Sequence, residues 1–363
     1  MTPTSTRILQ PDSGPVRARH YLPVSPSTVL WGRLPCELDT PVLTVDPGDE
    51  VTIDTVSHEG ILEDQGRDPV AYFTGHGVSA DAVLRDTVDL ARSFGSRDPA
   101  ADGPHVVTGP IRVRGAQPGD LLKMTVLETL PRVPYGIISN RHGRGALAGE
   151  FPRSPGTVSI FAELDSAEEY AAMAARAGGE RTVRFPIAPF LGIMGVAAAG
   201  SERPHSVPPG SYGGNLDINL LTSGSSLYLP VQVDGALAYV GDPHFAQGDG
   251  EVALTALEAS LRATIRFDVI PQSEAIERFG QLAGALAETT DYLIPTGLDV
   301  DLDEAMRRCV RAAISLLQAR FALDPEHALA YLSAATDFNI SQVVDRVTGV
   351  HARIRVRDFG TAG

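Results

Sequence analysis

Two short runs hold the residues best suited to chemistry. One is Gly213-Gly214-Asn215-Leu216-Asp217. The other is Gly241-Asp242-Pro243-His244-Phe245-Ala246-Gln247-Gly248-Asp249-Gly250-Glu251. Asn215 and Asp217 lie two apart, as do Asp242 and His244, so on an extended chain each pair shares one face. Gly213 and Gly214 leave room for a close backbone approach or a positive φ. Gly248 and Gly250 bend the chain so that Asp249 and Glu251 can fold back toward Asp242 and His244. The set offers carboxylates, an amide oxygen and an imidazole. That mixture suits a borderline divalent cation such as zinc, whereas a mainly oxygen shell suits calcium or magnesium. A bound cation polarises a carbonyl and lowers the pKa of its water, and a spare carboxylate then moves protons as general base and acid. Together these suffice to hydrolyse a small amide, whose leaving nitrogen must be protonated. Asp, Asn and Gly are also turn formers, and acidic Gly-rich loops between strands are ordinary in β proteins. Spacing alone therefore leaves a catalytic or metal site and plain turns both open.

The elements that must position these runs are mostly strands. The chain has 363 residues, with 36 Gly and 27 Pro, an excess that points to many turns. Leu43 and Val45 precede Asp46-Pro47-Gly48-Asp49, with Val51 and Ile53 after it, a hairpin-like pattern. The device recurs at 111–127, where Ile111 and Val113 lead through Gln117-Pro118-Gly119-Asp120 to Leu122, Met124 and Val126. Residues 261–270 alternate as a strand with one buried face. Helices are expected over 79–94, over 166–177 as a charged surface insertion, and near 338–346. A helical pair is expected from 301, capped by Asp301 or Asp303 and restarted at Asp324-Pro325, with a strand returning at 350–356. The expected class is α+β, predominantly β. Its parts are a β-rich 1–180 with short helices, a β-rich 181–275 carrying the site, and a helical 276–363.

Composition excludes several functions. Thirty basic against 45 acidic residues give a net charge of −15, which repels phosphate backbones and anionic lipid surfaces. Neither nucleic acid nor membrane is an expected partner. No basic leader followed by an apolar stretch opens the chain and no apolar run spans a bilayer, so a soluble cytoplasmic protein is the default. Lys123 is the sole lysine, which disfavours serine or cysteine amidase schemes that need one near Ser225-Ser226 or a cysteine. Cys36 and Cys309 look like small buried residues. Gly143-Arg144-Gly145 begins a loose dinucleotide fingerprint, but Pro152 and Pro155 follow where a helix should.

The chain resembles the acetamidase/formamidase family over most of its length. The matching segments are His105 to Ile111, Gly115 to Asp120, Gly192 to Ala197, the GGNLD run at 213–217, Leu227 to Val231, the GDPHFAQGDGE run, and Ile340 to Asp345. The resemblance implies hydrolysis of formamide, acetamide or a similar short amide to ammonia and the carboxylate. It also implies a β-rich fold, a divalent metal and a homo-oligomer. Position by position, it places the site at Asn215, Asp217, Asp242, His244 and Glu251. Chemistry then suggests Asp242, His244 and Asp217 as ligands of zinc first and calcium second, Glu251 as general base, and His244 and Asp217 as its catalytic neighbours. Asn215, His105 and His76 are the substrate-binding candidates, the last in the run Tyr72 to Gly77. Asp54, four residues before His58, is a further ligand candidate. Two other readings stay open: a hydrolase of a different small amide or ureido compound, and a non-catalytic β protein stabilised by calcium.

Overall fold

The computed structural model describes residues 8–95 and 97–360. The first seven residues, which begin the stretch read as free of an export leader, lie outside the described residues. The two Pro-Gly turns are built alike. The Asp49 amide donates to the Asp46 carbonyl (3.0 Å) while the Asp49 carboxylate accepts from the Asp46 amide (2.8 Å). Asp120 repeats both bonds with Gln117 (3.0 and 2.9 Å). Gly48 and Gly119 take the positive φ, 91° and 102°, that such a turn demands after proline. Neither turn closes a hairpin, contrary to expectation. Leu43–Val45 and Val106–Val113 lie in one sheet, whereas Glu50–Asp54 and Leu121–Pro131 lie in another. Each turn carries the chain from sheet to sheet. The apolar residues on both sides of it then meet face to face in the core, Val45 and Val113 with Val51, Leu122 and Met124.

One sheet has nine strands in the order His20–Leu22, Glu50–Asp54, Leu261–Ile270, Leu121–Pro131, Ser226–Pro230, Leu286–Glu288, Tyr292–Asp299, Thr348–Arg355, Asp337–Gln342. The other has eleven. Its main path runs Thr182–Pro186, Tyr170–Ala174, Thr157–Leu164, Tyr135–Arg141, Leu257–Glu258, Ala238–Ala246, Phe190–Gly195, Gly213–Asn215. Val106–Val113 pairs beside Ala238–Ala246 and itself carries Val29–Trp31 and Leu43–Val45. Alternation along a strand separates three layers. Leu227 and Leu229 enter the core between the sheets. Tyr228, one residue out of phase, packs on the opposite face with Phe279, Cys309, Ala313 and Leu317 of the helices. Helices Gln272–Phe279, Leu302–Phe321 and Pro325–Ala335 form that outer layer. The fold is α+β and predominantly β, with the C-terminal helical pair present. Asp301 caps the longer helix through the Glu304 amide (3.0 Å), and Pro325 opens the next.

Four local expectations change. The stretch 166–177 forms the strand Tyr170–Ala174, because pairing on both sides and burial of Ala171 outweigh alanine's helix preference. Near 338–346 the chain forms the strand Asp337–Gln342 and a turn, Phe338 and Ile340 following period two. The 79–94 segment begins as a short turn at Ala80–Ala82 and becomes helical only over Arg85–Ser93. Along Leu261–Ile270 both faces are covered, since Arg262 and Thr264 are as buried as Ala263 and Ile265. No helix among the described residues is long and apolar enough to cross a membrane.

Candidate active site

Val240 and Phe245 both enter the core although five residues separate them. A regular strand would point them to opposite faces, so the alternation must break once between them. It breaks at Asp242, which sits in the middle of Ala238–Ala246 at φ 51°. The neighbouring strand breaks phase at the same level, with Leu191 and Met194 both in the core. The double break turns Asp242 and His244 together away from the core. Asp217 and Glu251 also hold left-handed φ, 49° and 47°. Three site carboxylates thus occupy backbone conformations that a non-glycine residue adopts at a cost, the kind of strain that collects at functional sites.

These side chains converge. The His244 Nε2 lies 3.2 Å from Asp242 Oδ2 and 3.0 Å from Glu258 Oε1. The His58 Nδ1 lies 3.4 Å from Asp242 Oδ1 and 3.8 Å from Glu258 Oε2, and His105 Nε2 is 3.9 Å from Asp242. Asp217, His244 and Glu251 form a further group of donors within 4.8 Å of one another. All are buried, and so are Asn215 and Asp345. Gly192 lies against the centre. A Cβ there would meet Asp217 Oδ1, Asp242 Oδ2 at 2.7 Å and His244 Cε1 at 2.8 Å, so any larger residue would fill the place where the carboxylates converge. The loops are tied from behind. Gln247 Nε2 donates to the carbonyls of Asp217 (2.8 Å) and Ser341 (3.2 Å), and the Gly250 and Val343 amides bridge the Glu251 loop to the Asp345 loop.

The electrostatics are those of too many acids in too little water. Burial pushes the Asp217 and Glu251 carboxyls well above their usual range, with the charge of Asp345 adding to both and that of Glu251 adding to Asp217. Burial lifts Asp345 to about 8 and raises Glu258 as well. For Asp242 burial is outweighed by His105, His244 and His58, which hold it well below its usual range. Burial opposes charge on His58 too, but Asp242 and Glu59 raise it to about 10. For His105 burial, with His58 and His244 adding to it, outweighs the Asp242 charge and lowers the imidazole to about 4. Its Nδ1 faces Ser206 (3.2 Å to the carbonyl, 3.1 Å to Oγ), which leaves Nε2 toward Asp242.

The donors fit a divalent cation. His58 Nδ1, Asn215 Oδ1, both Asp217 oxygens, Asp242 Oδ1, both His244 nitrogens and Glu258 Oε2 are enclosed and make no hydrogen bond within the protein. Such atoms are costly unless something charged or polar meets them. Three overlapping groups could serve: His58 with His105 and Asp242, Asp217 with His244 and Glu251, and Asp242 with His244 and Glu258. The mixture of imidazole and carboxylate is one that zinc accepts.

The structure brings Asn215, Asp217, Asp242, His244, Glu251 and His105 together. It does not bring Asp54 or His76. Asp54 binds Arg262 at 2.6 and 2.9 Å and the Tyr21 hydroxyl at 2.6 Å, so its oxygens are committed elsewhere. His76 follows the helix Pro69–Gly75, stacks on Phe161 at 5.3 Å and packs edge-on against Tyr72 at 5.1 Å. The sequence reasoning missed Glu258 and Asp345. Glu258 stands in a two-residue strand, Leu257–Glu258, with no turn chemistry around it. Asp345 lies within a segment that carries the family resemblance, the one signal that could have found it.

Comparison with known proteins bears on the family and the fold. The model of the Acetamidase/Formamidase family matches residues 95–203 and 197–355. A formamidase of Methylophilus methylotrophus is 28% identical, the match covering 85% of this chain and 84% of that protein. An acetamidase of Mycolicibacterium smegmatis is 30% identical over a match covering 41% of this chain and 49% of its own. The crystal structure of an acetamidase from Yersinia enterocolitica superposes with a TM-score of 0.73 at 26% identity, covering 98% of this chain and 96% of that one.

Proposed function

The chain belongs to the acetamidase/formamidase family, and on that premise we propose that it is a metal-dependent hydrolase that converts a short linear amide, formamide or acetamide in the simplest case, to ammonia and the carboxylate. It is an amidohydrolase by its relatives. The reading of the site rests on one observation: Asp242 and Glu251, on the floor of a cavity of about 790 Å³, converge with the buried Asp217 and His244. A divalent cation held there by Asp242, His244 and Asp217, zinc before calcium, would polarise the amide carbonyl or its water and relieve the crowding of negative charge.

The chain's own residues supply the rest. Glu251 carries the proton. Its carboxylate takes one from water as the water oxygen bonds to the amide carbon, and returns it to the nitrogen as the C–N bond breaks. A carboxyl raised by its surroundings holds a transferred proton more readily than an ordinary glutamate does. Asn215, buried with a free Oδ1, orients the amide NH2. Glu59 holds His58 from behind (3.4 Å) and is itself bound by Ser139, Gln65 and Arg141, so His58 is fixed facing Asp242. The family resemblance also carries the reading of a homo-oligomer, which light scattering on the purified chain checks.

The deciding experiment is ammonia release from formamide, acetamide, propionamide and urea, before and after exhaustive chelation. Release lost to the chelator and restored by added metal supports the full reading. Release that survives chelation removes the metal and leaves the amidase.

A further inference from the structure

The cavity is far larger than a four-atom amide. At about 790 Å³ it is of the size that takes a drug-like ligand. Its charge is also uneven. The floor is acidic, as described. The wall above it holds Glu63, Asp64 and Asp102, each matched by an arginine: Glu63 by Arg97 (2.5 Å), Asp64 by Arg141 (2.7 Å) and Asp102 by Arg33 (2.6 Å). The same cavity is lined by Arg144 and Arg346. Among the described residues neither makes an ion pair or a side-chain hydrogen bond. In a chain of net charge −15, the rim of this one cavity is therefore left positive.

Both arginines are carried by the loops that carry the floor. Arg346 follows Asp345 directly and holds φ 65°, in a turn whose Val344 and Asp345 amides donate to the Gln342 Oε1. Arg144 stands between Gly143 and Gly145, at φ 82° and 86°. That loop is pinned to the segment after Glu251, with the Ala146 amide donating to the Val252 carbonyl (2.9 Å). The two cations line the same cavity. Between rim and floor, Arg141 Nη2 is enclosed without an acceptor.

We propose that this chamber selects amides whose acyl end carries a carboxylate, the monoamides of short dicarboxylic acids, with Arg144 and Arg346 meeting the carboxylate at the rim while the amide group reaches Asp242 and Glu251 at the floor. This rests on the amidase reading and adds a substrate class to it. The cationic rim attracts the carboxylate and offers the uncharged amide no matching charge, which favours the orientation with the amide at the floor. For succinamate the reaction is water plus amide to succinate and ammonium. The water oxygen bonds to the amide carbon, the C–N bond breaks, and the nitrogen leaves with the transferred proton.

The test compares kcat/KM for succinamate with that for isohexanamide, its uncharged isostere. Succinamate should be preferred by about tenfold or more, the worth of one charge-assisted hydrogen bond. The preference should shrink as salt rises, because the rim is solvent-exposed. Arg144→Gln and Arg346→Gln should each reduce the ratio severalfold, and the double variant should bring it to about one. A wild-type ratio of one, or a ratio that both variants leave intact, overturns the inference. If acetamide is hydrolysed meanwhile, the amidase reading survives it. If no amide is hydrolysed, that reading fails, and calorimetry with succinate decides the rim separately. Binding lost in the double variant supports it, and no binding to the wild type overturns it.

Discussion

The molecule buries two clusters of charge, and they are built on opposite rules. Around Asp54 two carboxylates, Asp54 and Asp86, meet two guanidiniums, Arg262 and Arg132, although Asp86 Oδ2 and Arg132 Nη2 make no hydrogen bond. Arg262 grips the Asp54 carboxylate with two nitrogens, Tyr21 adds a hydroxyl, and Arg132 faces both Asp54 (3.6 Å) and Asp86 (2.8 Å). The spare guanidinium donors reach the carbonyls of Leu9, Ser13 and Thr55, which staples the N-terminal segment onto the first sheet. Around Asp242 the acids outnumber the bases, more of the enclosed atoms lack partners, and among the described residues no arginine pairs with Asp217, Asp242, Glu251 or Glu258. A charge-balanced network spends its polarity on one structure, whereas an incomplete one with surplus acid keeps it for something that arrives. That difference separates a buried charge that holds the fold from one that does chemistry, although both are equally hidden from solvent.

The sharpest way to break the comparison is to remove one charge from each cluster. Glu251→Gln should lower kcat by about 100- to 10,000-fold, the usual worth of a positioned acid–base group, while thermal unfolding stays put or rises because a crowded acid is gone. Stopped ammonia release with an unchanged melting temperature is the expected pair of results. Full turnover by this variant would remove Glu251 from the role. Arg262→Met should do the reverse. Leaving Asp54 buried without its partner should cost about 3–5 kcal/mol, seen in urea unfolding or, at the extreme, as insoluble protein. Adding Asp54→Leu should recover part of the loss, since two matched apolar groups avoid the stranded charge. If the double variant is no better than Arg262→Met alone, the network is held by its carbonyl contacts rather than by the ion pair.

A subtler change probes the convergence itself. Gly192→Ala places a methyl where Asp217, Asp242 and His244 meet. The neighbours must give way, and misplacement of reacting groups on that scale costs about 100-fold in rate. Cation affinity, followed by calorimetry, should fall along with kcat/KM, while the melting temperature changes by only the small amount that one overpacked methyl implies. Unchanged affinity would mean that the cation, if one binds, sits nearer His58 and His105.

The sequence announced the two runs that build the floor because their glycines and paired polar residues are local. It also announced the long helices, whose caps and apolar spacing are local too. It could not announce that Asp54 and Asp242 belong to different clusters. That is decided by Arg262 and Arg132, which come to Asp54 across strand pairings about 200 and 80 residues away in the chain. The Pro-Gly turns misled for the same reason. Their hydrogen bonds are as legible as any hairpin's, but whether the next strand pairs or crosses to the facing sheet depends on partners elsewhere, Val106–Val113 for one strand and Leu261–Ile270 for the other. Glu258 left no trace at all, since one glutamate in a short strand looks like any solvated residue until His58 and His244 close over it.

The smallest effect concerns pH and belongs to the incomplete cluster alone. Asp345 is raised from its ordinary 3.8 to about 8, by burial first and by the neighbouring Asp242 and Glu258 charges next. The folded chain therefore keeps a proton that the unfolded chain releases above about pH 4. Its contribution to stability is whole below that point, declines as pH climbs toward 8, and is gone beyond it. Metal-free protein should accordingly melt at progressively lower temperature from about pH 5 to 8, and Asp345→Asn, which cannot ionise, should flatten the slope. Added divalent cation should flatten it as well, because a cation supplies the positive charge that the proton otherwise supplies. A slope that persists in Asp345→Asn would assign the proton to Asp217 or Glu251 instead. A slope that persists when saturating metal is present would show that the cation and these carboxylates do not meet.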